Sequence, residues 1–140
     1  MVKVIYKDTE SLSQKSVAFD LTSDADGELL RDMLDTAEAH KENCVGLAAI
    51  QVGVAKRAIL VWMGDKFVPF LNPMIIHRSP QTYCADEGCL SLDGTRSVKR
   101  HRTIKVMWTE PNGKRRVREF SGFTAQIIQH EVDHCNGVLI

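Results

Sequence analysis

The sequence predicts an α+β fold, with antiparallel β-strands packed around a central C-terminal helix that carries His-Glu-x-x-His and a second helix nearer the N-terminus. Three observations predict it. Apolar residues return at helical spacing in two separate segments, one holding Leu29, Met33 and Ala37, the other Ile127, Ile128 and Val132. Between them lie short runs rich in β-branched and aromatic residues. The tripeptide "PNG", Pro111 to Gly113, joins two alternating segments in the manner of a hairpin turn. Strands that run consecutively, with helices before and after, give α+β rather than an alternating α/β order.

In chain order, residues 1–20 read as an extended arm in which Val2, Val4 and Tyr6 alternate. "TSDADGELLRDMLDTAEAHKEN" reads as a helix. Thr22 or Ser23 caps it, acidic residues in its first turn suit the helix dipole, and Leu29, Leu30, Met33, Leu34 and Ala37 make one apolar stripe. After Gly53, "RAILVWM" (Arg57 to Met63) reads as a strand, and "FVPFLNP" follows the turn signal "GD". "TIKVMWTE" and "KRRVREF" flank "PNG". "SGFTAQIIQHEVDHCNG" returns to helical spacing, with Ser121 as a cap and Asn136-Gly137 as the stop. No repeat or Pro/Gly/Ser-rich linker divides the chain, so its 140 residues form a single domain, 1–140.

The composition is that of an ordinary globular protein, 44% hydrophobic and 26% charged. Lys+Arg and Asp+Glu both number 18, so the formal net charge is zero. Direct nucleic-acid binding needs a basic excess and is not expected. No apolar run is long enough to cross a bilayer, and "MVKVIYKDTE" lacks the apolar core of a signal peptide. A cytoplasmic location, without a membrane partner, is expected. The four cysteines, Cys44, Cys84, Cys89 and Cys135, are then reduced thiols or metal ligands rather than disulfides.

One turn of helix stacks His130 over His134, with Glu131 between them in sequence. The plain reading is two histidines on a solvated face. The apolar flanks Ile127, Ile128 and Val132 argue for a packed helix instead, and a buried histidine pair needs partners. His-x-x-x-His on a helix aims two imidazoles at one metal ion. A catalytic metal site commonly adds a third protein ligand and keeps one position open. Cys84, Cys89, Cys135 and several acids are candidates for the third. Cys135 follows His134 directly and points about 100° away from it on the helix. Cys84 stands in "QTYCADEG". Cys89 stands in "EGCLS", after a glycine that permits close backbone approach. Spacing alone does not choose among them.

Three segments together resemble the peptide deformylase family: "GLAAIQ" (Gly46 to Gln51), "EGCLS" (Glu87 to Ser91) and "QHEVDH" (Gln129 to His134). They occur in the family's order and with similar spacing. The resemblance implies one divalent metal ion, usually iron(II) with zinc, nickel or cobalt accepted, held by Cys89, His130 and His134. It implies hydrolysis of the N-formyl group from the formyl-methionine of newly made polypeptides, releasing formate. Glu131 is then the general base and acid, and the Gln51 amide and Leu90 backbone N–H face the developing oxyanion. The substrate peptide lies extended against Val45 and Gly88. Gly46 shapes a narrow mouth, Val45, Ile127 and His130 line a methionine pocket, and Arg96 lies near the substrate backbone. The alternative for Arg96 is a solvated loop cation beside Lys99 and Arg100. The implied partners are N-formylmethionyl nascent chains, at the ribosome, met by a monomer in a bacterial cytoplasm.

The sequence also departs from the family. Cys44 stands where relatives have glycine, which predicts crowding or an oxidisable thiol. Ile50 and Cys135 are unusual at their positions, and "DTESLSQ" replaces the typical N-terminal pattern. The chain stops at Ile140, before the C-terminal helix of longer relatives, in a short, deformylase-like form. Two other readings follow. One is a deformylase-like metal-binding protein with weak or no activity. The other is a His-Glu-x-x-His zinc peptidase, for which too few residues follow His134 to supply a third ligand.

Overall fold

"AILVW" is apolar at every position because the strand it forms is covered on both faces. Ile59 and Val61 point to one apolar cluster, and Ala58 and Leu60 point to the other. The computed structural model describes residues 1–140. Its elements are α1 (Thr9–Leu12), α2 (Asp24–Ala39), β1 (Gly46–Ala48), a 3-10 turn (Ala49–Val52), β2 (Ala58–Trp62), β3 (Phe67–Arg78), β4 (Thr82–Glu87), β5 (Arg96–His101), β6 (Thr103–Thr109), β7 (Arg115–Ser121) and α3 (Gly122–Cys135). Five antiparallel strands form one sheet in the order β1-β2-β3-β6-β7, and β4 pairs with β5 in a second, two-stranded sheet.

Helix α2 covers one face of the large sheet. Ser23 accepts a hydrogen bond from Asp26 N–H as its N-cap, and Asp24 and Asp26 fill the first turn. Leu29, Met33 and Ala37 of the expected stripe are buried, while Leu30 and Leu34 are partly so. Helix α3 covers the other face. Its apolar side, from Ala125 through Ile128 to Cys135, packs against Ile59, Val61, Phe70, Ile104 and Val106. Each of these large side chains contributes about 1.5–3 kcal/mol by leaving water.

The predicted helices, β2 and the β6–β7 hairpin all form, and three details differ from expectation. The first twenty residues are not simply extended. Asp8 caps a turn of helix at Thr9–Leu12, and Leu12 is fully buried in the α3-side core. Val17 bridges to Lys56, and Ser16 N–H reaches the Cys135 carbonyl, so this segment is tied down by long-range bonds. β3 is longer than "FVPFLNP" and continues to Arg78. Asn72 breaks its register with φ 51°, and its side chain pairs with both backbone groups of Phe19. Ser121 occupies the N-cap position of α3 without a side-chain cap bond. Asn136 and Gly137 do end α3: Gly137 has φ 76°, and a Cβ there would collide with the Ser13 carbonyl.

The β4–β5 sheet is the second wall of the site. Gln129 of α3 holds it, accepting from His101 N–H and donating to the His101 carbonyl, both at 2.9 Å. This clamp brings the residues that follow β4 alongside the face of α3 that bears the histidines.

Candidate metal centre

His130 and His134 lie one turn apart on α3, with ring centroids 5.0 Å from each other. Both are buried. The loop after β4 delivers Cys89 to the same place. One donor atom from each of Cys89, His130 and His134 lies within 4.8 Å of the others. Cys84 is exposed, and Cys135 is packed in the hydrophobic core, so neither joins the group.

The chemistry of these donors fits a cation. His130 Nδ1 meets Glu87 Oε1 at 2.8 Å, which leaves its buried Nε2 with no hydrogen-bond partner. Both nitrogens of His134 and one carboxylate oxygen of Glu131 are also buried without partners. Buried polar atoms are almost always satisfied, so four in little more than one helical turn point to a ligand. One thiolate and two imidazoles suit a divalent first-row metal, and the Glu87 contact is the outer-shell bond that orients such a histidine.

The protein's own charges favour a positive centre here. Burial opposes a thiolate at Cys89, but the neighbouring His130 and the backbone N–H groups of Leu92 and Ser91 outweigh it and lower the pKa. Burial likewise opposes charge on His130, yet the adjacent Cys89 thiol, the bond to Glu87 and the nearby Glu131 carboxylate hold its pKa up at about 10. Burial, with the adjacent His130 charge, pushes His134 down to about 3. Desolvation raises Glu131 to about 7.

Behind His130 stands a network that sequence reasoning missed. Arg100 donates to both Glu87 oxygens, at 2.9 and 2.6 Å, and to Asp133 Oδ2 at 2.6 Å. Arg100 is only 4% exposed, not the solvated loop cation that its neighbours suggest. Burial works against the Glu87 carboxylate, but Arg100 and His130 together bring its pKa down to about 2. The one signal in the sequence was Glu87 itself, at the head of "EGCLS".

A cleft of about 210 Å³ opens onto this centre. Cys89, His130 and Glu131 line its base, and Val45, Gly88 and Leu90 line its walls. Gly46 and Ile127 border it as well. A Cβ on Gly46 would lie 2.6 Å from Glu131 Oε2 and 2.9 Å from Ile127 Cγ2, so only glycine fits beside this carboxylate. Gln51 is 1% exposed and lies behind the wall, its Oε1 accepting from Ala48 N–H and its Nε2 donating to Ser91 Oγ. Arg96 sits on β5 opposite Glu87 and does not line the cleft; its Nη1 is buried without a partner. Cys44 lines the cleft, but its thiol donates to the Gly46 carbonyl at 3.1 Å. Burial, with the Glu131 charge, pushes that thiol up to about 12, which keeps it protonated and sluggish towards oxidants.

A family profile described as "Polypeptide deformylase" matches residues 1–140. The chain belongs to the peptide deformylase family. A peptide deformylase of Clostridium beijerinckii is 43% identical over 140 residues, which is 100% of each chain. Among solved structures, an actinonin-bound class I type b peptide deformylase from Acinetobacter baumannii has a TM-score of 0.88 at 33% identity, covering 99% of this chain and 96% of that one. The same enzyme bound to Met-Ala-Ser gives 0.86 at 33% identity, with 99% and 96% covered. The peptide deformylase of Thermotoga maritima gives 0.88 at 30% identity, covering 99% of this chain and 95% of that chain. As a deformylase, the chain is a metal-dependent hydrolase that removes the N-formyl group from the N-terminal formyl-methionine of new polypeptides.

Proposed function

We propose that Glu131 carries the proton transfers of this deformylation, with Cys89, His130 and His134 as the metal ligands and with Gln51 and Leu90 as oxyanion donors. The observation that supports it best is the carboxylate itself. It is buried, it keeps one oxygen without a partner, and Gly46 clears the space beside the other. A buried carboxylate on the same turn of helix as the two histidines stands where it can take and return a proton. A divalent ion held by the three ligands would supply Lewis-acid polarisation of the formyl carbonyl and a lower pKa for the attacking water.

Glu131 accepts the proton of that water and later gives it to the departing amine. Two sets of N–H donors stand ready for the charge that develops on the formyl oxygen. Gln51 commits its carbonyl oxygen to Ala48 and one amide hydrogen to Ser91, which leaves the second amide hydrogen free. The Leu90 backbone N–H donates to no protein acceptor. Fixed donors of this kind are worth about 3–4 kcal/mol each in the transition state. The N–H groups of Val45 and Gly88 are also without protein acceptors, which supports an extended peptide docking between them as an added strand. Ile127 and Val45 offer apolar surface for the methionine side chain; Arg96, outside the cleft, is left without a role in it.

Iron(II) is the proposed native ion, since the thiolate and imidazole donors suit it, with zinc, nickel or cobalt as substitutes. The chain acts as one domain, 1–140, and as a monomer on nascent chains at the ribosome in a bacterial cytoplasm. Its bacterial relatives support that setting, and no helix is long and apolar enough to cross a membrane.

A formate-release assay on formyl-Met-Ala-Ser with iron- or nickel-loaded protein tests the reading. Turnover is expected, and it is expected to vanish in Glu131→Ala with metal still bound. Bound metal without turnover in the unmodified chain would favour a silent metal-binding protein instead.

A further inference from the structure

Gln126 is a neutral polar side chain in the cleft wall, and neither the metal centre nor the proposed mechanism uses it. It precedes His130 by one helical turn, so the two share the face of α3 that looks into the cleft. Its neighbours in that wall, Ile127 and Phe123, are apolar. Its side chain is half-buried, so its polar end is open to a ligand in the cleft.

Only half of this amide is used. Tyr83 of β4 donates its hydroxyl to Gln126 Oε1 at 3.0 Å. The Tyr83 ring is itself held, with the Arg102 guanidinium 5.2 Å from its centroid. The bond engages the carbonyl oxygen of the amide. No protein group accepts from Nε2, whose two hydrogens remain available beside the cleft.

We propose that Gln126 is a specificity-determining residue whose Nε2 donates a hydrogen bond to an acceptor on the bound peptide, and that Tyr83 is the positioning residue that aims it. The acceptor is either the methionine thioether or a peptide carbonyl. The inference rests on the deformylase reading, because it assumes that a methionyl peptide occupies this cleft.

Calorimetric binding of Met-Ala-Ser and norleucyl-Ala-Ser to nickel-loaded protein tests it without requiring turnover. Gln126→Leu is expected to weaken Met-Ala-Ser roughly fivefold, the usual yield of one neutral hydrogen bond. Tyr83→Phe is expected to weaken it about twofold, since the amide stays but loses its orientation. If the thioether is the acceptor, the unmodified chain prefers methionine to norleucine, and Gln126→Leu abolishes that preference. If a carbonyl is the acceptor, both peptides weaken equally. Unchanged affinity for both peptides in Gln126→Leu would overturn the proposal. Gln126→Met, close in shape and helix propensity, repeats the test should the leucine variant fold poorly. Failure of the deformylase reading would show separately, as absent formate release in the unmodified chain.

Discussion

The two faces of the large sheet bury polar groups in opposite ways. On the α2 side, Asp26 accepts from Asp20 N–H and pairs with Lys56, and Asp32 pairs with the Met1 ammonium and Lys3. Thr36 donates to the Asp32 carbonyl and accepts from Lys3 N–H. Each of these buried groups has a partner within the chain. On the α3 side, His130 Nε2, both His134 nitrogens and a Glu131 oxygen have none. Folding alone explains the first set. The second is retained at a cost to stability, which is the mark of groups kept for a ligand and a reaction.

The sharpest way to break this contrast is Glu131→Gln. It keeps the shape of the helix and removes the acid–base function, so kcat in formate release is expected to fall by about 10²–10⁴-fold with metal content unchanged. Met33→Ala on the α2 face is the control. It is expected to cost about 2–5 kcal/mol in urea unfolding through the cavity it leaves, with kcat per folded molecule retained.

The Glu87 network lies between the two extremes, being fully paired yet in contact with His130. Glu87→Gln breaks a buried ion pair and is expected to lower stability by about 3–5 kcal/mol. Because it also frees the His130 ring, metal affinity in competition with a chelator is expected to fall about 10–100-fold. The pH dependence has a definite sign. Glu87 titrates at about 2 in the folded chain, below the usual 4.5, so its contribution is fully present above pH 4.5. It is lost as pH falls towards 2. Acid unfolding of Glu87→Gln is therefore expected to show a smaller loss of stability between pH 4.5 and 2 than the unmodified chain. The smallest effect is at the α2 cap, where Ser23→Ala is expected to cost about 1 kcal/mol in thermal unfolding and nothing in kcat.

Much of this was legible in the sequence where the pattern is local. Helical spacing marked α2 and α3, and a continuous apolar run marked β2. The segments "GLAAIQ", "EGCLS" and "QHEVDH" named the side chains that converge. The β4–β5 sheet was not legible, because "TYCADE" and "RSVKRH" are polar and are held by pairing with each other and by Gln129 rather than by a buried apolar face. Arg100 was not singled out for the same reason: its burial depends on Glu87 and Asp133, which only the folded chain brings to it. The helical turn at Thr9–Leu12 is too short to show a period, and Leu12 alone anchors it. Cys44 was expected to crowd the cleft or to oxidise. Its bond to the Gly46 carbonyl and its raised pKa argue against a reactive thiol.

Cobalt(II) titration of the unmodified chain and of Cys89→Ala, followed by sulfur-to-metal charge-transfer absorption, tests the convergence of thiolate and imidazoles most directly. One cobalt per chain with a charge-transfer band is expected, and the band is expected to disappear in Cys89→Ala and to weaken sharply in His134→Ala. An undiminished band in Cys89→Ala would mean that a different thiol meets the histidines and would contradict the account.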